Sequence, residues 1–137
     1  MKQEKFYQSI KLVEGSDFIL KKETNIKLQV LKKAGKLTES DLKFLNRIDK
    51  DLKKYDNSDK EEMLLIHVGM SLDRSRNNTS VEEMPLELWK QIISKTKYQQ
   101  ARLYWEKIQP LLPSSLGHNE EQYILMHLVN VMSVNER

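Results

Sequence analysis

Interruptions to helical periodicity are scarce in this chain. Its 137 residues include four glycines and three prolines, and no segment sustains the period-two alternation of a half-buried strand. Apolar side chains recur three and four positions apart, the spacing that gathers them on one face of a helix. The expected fold class is therefore all-α, an antiparallel bundle of five to six helices with short connections.

Local punctuation places those helices. Ser16 is expected to cap a helix running to about Lys33, with Ile19, Ile26 and Val30 at helical spacing and Gly35 as its stop. Thr38 to Asp41 resembles a capping box with Asp in place of the usual Glu. Leu42, Leu45, Ile48 and Leu52 then mark one face. Ser58 with Glu61 makes a second box, opening a helix that the polar run 77–80 ends. Pro85 suits a first helical turn. The stretch 85–109 has a polar waist from Ser94 to Gln100 and reads as two helices or one bent helix, closed by Pro110 and Pro113. Asn119 is expected to cap a last helix ending near Val134. Residues 1–15 read as an N-terminal segment loosely attached to a single domain over 16–137.

Length and composition remove several classes of function. A chain of this size fits one domain that buries about two-thirds of its unfolded surface. It has no cysteine, which excludes disulfides, thiolate chemistry and cysteine-ligated metals. No apolar run approaches the roughly 18 residues of a membrane span. The start, MKQEKFYQSIKLVEG, lacks the continuous apolar core of a secretory signal. A soluble cytoplasmic protein is expected, with no membrane partner.

Charge is uneven. Residues 1–60 carry 15 Lys/Arg against 10 Asp/Glu, and residues 61–137 carry 8 against 10, giving +5 and −2 and the overall +3. The basic half interleaves its lysines with acids and has few aromatics, whereas a nucleic-acid surface clusters its cations and adds stacking rings. These lysines read as a solvated face, and nucleic-acid binding by this domain is not expected.

Chemistry concentrates on two histidines in apolar helical stretches, His67 in MLLIHVGMSLDR and His127 in EEQYILMHL. Seven residues make almost two turns, so Met63, His67, Met70 and Arg74 share one stripe. Glu120, Tyr123, His127 and Asn130 share another. A histidine in such a place is most often a packed residue with a satisfied hydrogen bond, and the methionines read as core filler. His118, in a glycine-flanked loop, reads as exposed and incidental. No histidine has a glutamate three residues before it, since those positions are Leu64, Ser115 and Ile124, so the helical di-iron pattern is absent. Zinc-protease spacing, a Gly-rich phosphate loop and a nucleophile elbow are absent too. The expectation is a non-enzymatic protein with no metal and no cofactor.

The pair of patterns, His67-x6-Arg74 and then Glu120-x-x-Tyr123-Ile124-x-x-His127-Leu128, resembles the PTS-regulation domain, or PRD. This is the helical regulatory module of bacterial antiterminators and sugar-operon activators. The likeness spans about residues 59–134 and includes YQQARLYWEKIQPLLP at 98–113. It implies a stand-alone or excised single copy that forms a homodimer with both histidines near the subunit interface. It further implies that His127 and His67 accept phosphoryl groups from HPr or an EIIB component, with Arg74 and Glu120 in support. Ile66 stands where many such domains place an acidic residue before the first histidine. No small β-rich RNA binder or helix-turn-helix is legible in the first 55 residues. The alternative expectation is a protein-interaction module of the same fold that is not phosphorylated. A phosphotransfer bundle of two-component signalling would need one exposed histidine, and the apolar settings of these two argue against it.

Overall fold

The computed structural model describes residues 22–133, and all regular structure among them is helical. Six α-helices follow in order: α1 (Lys22–Lys33), α2 (Glu39–Leu52), α3 (Ser58–Arg76), α4 (Leu86–Ile93), α5 (Tyr98–Ile108) and α6 (His118–Met132). Short 3-10 turns extend α2 over Lys53–Tyr55 and α5 over Gln109–Leu111. No helix among the described residues is long and apolar enough to cross a membrane. The expected cap at Ser16, the inward Ile19, the segment 1–15 and the end near Val134 lie outside the described residues.

Local signals decide several boundaries. Gly35 adopts φ +80°, and the amides of Gly35 and Lys36 close back onto Lys32 O and Leu31 O, the paired bonds of a Schellman stop. The Thr38–Asp41 box forms in full: Thr38 Oγ1 accepts from the Asp41 amide, and Asp41 Oδ2 accepts from the Thr38 amide. Behind it, Phe44, Leu45, Ile48 and Leu52 are buried and Leu42 is half-buried. The polar waist breaks the long stretch into two helices, α4 and α5, separated by residues 94–97.

Tertiary contacts override local signals elsewhere. Val30 is 59% exposed and Ile26 only half-buried, because α1 turns Thr24, Asn25 and Leu28 inward instead. Thr24 Oγ1 donates to Glu62 of α3 at 2.9 Å, which keeps that polar face on the core side. The expected Ser58–Glu61 box does not form. Asn57 occupies the N-cap position without a side-chain cap bond, and Glu61 is drawn into the interior. Pro85 sits one residue before α4, at its N-cap position. Asn119 does not cap α6, which begins at His118 after Gly117. Its amide donates instead to Val81 O at 3.4 Å, tying the helix to the preceding loop. His118 is thus the first helical residue, and it is exposed as expected.

Helix α3 is central, packing against α2 on one side and α6 on the other. Leu64, Leu65, Val68 and Leu72 are fully buried along it. At Gly69 a Cβ would come within 3.0 Å of Leu37 Cδ2, so the helix tolerates only glycine at that approach without repacking. Helix α6 runs antiparallel to α3, since Asn57 bonds Asn130 O, His67 meets His127, and Arg74 bonds Glu120. Fully burying each large aliphatic side chain in this seam contributes about 1.5–3 kcal/mol, ample to hold the polar groups between the two helices in register.

Candidate functional site: a histidine pair between two helices

The two histidine stripes face each other. The imidazole centroids of His67 and His127 lie 4.9 Å apart with planes inclined at 45°, and the Tyr123 ring is 6.0 Å from that of His67. Sequence spacing placed each imidazole on a stripe with a charged residue. In the fold the charged residues pair across the seam, one helical step beyond the rings. Arg74 forks onto Glu120, Nε to Oε2 at 2.7 Å and Nη2 to Oε1 at 3.0 Å. Such bidentate, charge-assisted geometry is strong and orientationally strict. Glu120 is 3% exposed, and the two Arg74 N–H groups meet its charge; Ser71 Oγ lies 3.2 Å from Oε1, its one hydrogen shared between that oxygen and the nearer His67 carbonyl at 2.8 Å.

Burial governs the imidazoles. Both are half-buried. Desolvation lowers the His67 pKa below its ordinary value; the Glu120 carboxylate pulls it back up and Arg74 pushes it further down. His67 Nε2 stands 3.8 Å from Glu120 Oε1, yet a neutral ring at that distance forms no ion pair, and the carboxylate is already engaged by Arg74. His127 is pushed down to about 4, first by desolvation, then by the neighbouring His67 and by Lys60. At neutral pH both rings are uncharged, so each carries one nitrogen with a lone pair.

The rings differ in access. His67 Nε2 is sealed from solvent and has no hydrogen-bond partner, whereas neither nitrogen of His127 is sealed in this way. A packed histidine with its hydrogen bonds met was the ordinary expectation, and His67 does not fulfil it. All four site residues named from the sequence, His67, Arg74, Glu120 and His127, converge in one place. Sequence reasoning missed Ser71, which bridges the His67 carbonyl and Glu120, and Lys60, whose charge reaches His127. Lys60, His67 and Arg74 repeat every seven residues, and that spacing was the available signal. The methionines divide: Met132 is buried, Met70 and Met126 are half-buried, and Met63 is 51% exposed, against its expected place in the core.

A second titratable pair lies near the other end of α3. Asp49 is 1% and Glu61 7% exposed, and both Asp49 oxygens lack an N–H or hydroxyl donor. Burial, a hydrogen bond to Asp49 and the Asp49 charge push Glu61 up to about 9, against a smaller opposing pull from Lys53. A proton kept on Glu61 gives Asp49 a donor for one of its two buried oxygens.

No family model, curated protein or solved structure matches this chain.

Proposed function

We propose that the His67–His127 pair is a phospho-acceptor site in a PRD-like regulatory domain, with His127 the principal acceptor. The observation that carries this reading is the contact of two half-buried rings at 4.9 Å, of which His127 keeps its nitrogens unsealed. Phosphoryl transfer depends mainly on a neutral nucleophile, in-line positioning and charge stabilisation. Burial supplies the neutral nucleophile. The Arg74–Glu120 fork holds the register of the helices, and the charge of exposed Lys60 reaches His127.

In the transfer, an unprotonated His127 nitrogen attacks phosphorus. The bond from phosphorus to the donor side chain of HPr or an EIIB component breaks, and that side chain leaves with the electron pair. The new group would carry close to two negative charges, by analogy with other phosphorylated side chains. Placing that charge 4.9 Å from a second imidazole favours a proton or a cation there. The seam between α3 and α6 is therefore the part of the fold that would respond. In this proposal the helices act as an antiparallel bundle, two copies associate near the histidines, and phosphorylation shifts that association. A bias of 1.4 kcal/mol would change the populations about tenfold.

The test is incubation with phosphoenolpyruvate, enzyme I and HPr, with and without EIIB components, followed by mapping of acid-labile phosphate by mass spectrometry. Label on His127 supports the reading. Absence of label on both histidines with every donor removes it. Sedimentation of the labelled and unlabelled protein reports the proposed change in association. The sealed His67 Nε2, next to Ile66, favours a second reading in which the domain binds partners without phosphorylation. In that case His127→Ala binds them as the wild type does.

A further inference from the structure

On the side of α6 away from the histidines, helices α4, α5 and α6 enclose an open cleft of about 260 Å³. Its walls carry three aromatic residues, Trp89, Tyr98 and Trp105, and its charged groups include Glu121 and the pair Arg102–Glu106. Trp89 and Tyr98 meet edge to face at 5.8 Å, which fixes both rings. Arg102 is already engaged, its Nε donating to Glu106 at 3.2 Å. Among the described residues Glu121 has no cationic partner; Trp105 Nε1 and Gln109 Nε2 both donate to its Oε2 at 2.8 Å, and none of the described residues donates to Oε1. Gln122, 6% exposed, also lines the cleft, though its carboxamide Oε1 is sealed from solvent, as His67 Nε2 is.

A carboxylate without a cation is an acceptor that a ligand bearing N–H groups would satisfy, and aromatic faces attract cations. The volume corresponds to about nine waters at roughly 30 Å³ each, so the occupant is small.

We infer that this cleft binds a small free organic cation with N–H donors, an alkylguanidinium or primary alkylammonium, through Glu121 and the aromatic walls of Trp89, Tyr98 and Trp105. The inference stands independently of the histidine pair. Both tryptophans of the chain lie in the cleft, so their two indole N–H resonances report on it alone.

The test is titration of the full chain with n-butylguanidinium chloride, with tetramethylammonium chloride and sodium chloride as comparisons, followed through those resonances. Saturable shifts of both indoles with n-butylguanidinium are expected, with at least fivefold weaker binding of tetramethylammonium, which has no N–H. Glu121→Gln should weaken n-butylguanidinium at least tenfold, while Glu87→Gln, an exposed change outside the cleft, leaves it unchanged. Folding of each variant is verified by its amide spectrum. No saturable shift up to 20 mM, equal binding by Glu121→Gln, or equal binding of tetramethylammonium would each overturn the assignment.

Discussion

Helix α3 carries two buried titratable pairs that solve the same problem in opposite ways. At His67–His127 desolvation removes protons, leaving two neutral bases at neutral pH. At Asp49–Glu61 desolvation retains a proton, leaving one neutral acid beside one carboxylate. Burial penalises whichever form is charged, so the residue type alone decides the direction. The lesson is functional as well as energetic. In the proposed reading the neutral histidine pair acts as nucleophile without an activating base, whereas the carboxyl pair serves the fold. The histidine pair therefore costs stability as pH falls below 6.5, and the carboxyl pair costs it as pH rises above 4.5.

Four changes would break or sharpen this contrast. The largest effect is expected from Arg74→Met, which strands the buried Glu120 carboxylate and should cost about 3 kcal/mol in chemical denaturation. Glu120→Gln in the same background should recover part of that loss. Next comes the acid side of the histidine pair. The folded His127 value of about 4 lies below its ordinary 6.5, so its stabilising contribution is complete above pH 6.5 and is lost as pH falls towards 4. Between pH 6.5 and pH 5 this amounts to roughly 2 kcal/mol, and His127→Gln should flatten that part of the stability profile.

Glu61 has the reverse sign. Its folded value of about 9 lies above the ordinary 4.5, so its contribution is complete below pH 4.5 and declines as pH rises towards 9. Glu61→Gln, which keeps an uncharged donor for Asp49, should stabilise the protein at pH 8 by roughly 1–2 kcal/mol. It should do little at pH 5. The smallest effect is expected from Lys60→Ala. Removing one exposed, screened cation should raise the His127 pKa slightly, measured by side-chain NMR, and, in the proposed reading, should slow phosphoryl transfer without changing the fold.

Features that depend on neighbours within one or two turns were legible in the sequence. The Thr38–Asp41 box and the Gly35 stop are satisfied by bonds within a few residues, and both form as the residues predict. Seven-residue spacing put His67 with Arg74 on one stripe and Glu120 with His127 on another for the same reason. Features set by distant partners were not legible. The Ser58–Glu61 box is locally plausible, but Asp49 from α2 draws the Glu61 side chain inward. Val30 sits at helical spacing, yet the bond from Thr24 to Glu62 rotates α1 away from it. The aromatic cleft was hidden because Trp89, Tyr98 and Trp105 belong to two helices across a chain break in periodicity. The pairing of Arg74 with Glu120 follows from the antiparallel register of α3 and α6, which no single stripe contains.

The account rests on a pair of imidazoles that burial keeps uncharged. A side-chain ¹⁵N NMR titration of the histidines from pH 8 to pH 4 tests this most directly, because no choice of phosphoryl donor enters it. The prediction is that His127 stays neutral until the pH approaches about 4, and that His67→Gln raises its midpoint. A His127 midpoint at or above 6.5, indifferent to the residue at position 67, would contradict the pairing and the nucleophile derived from it.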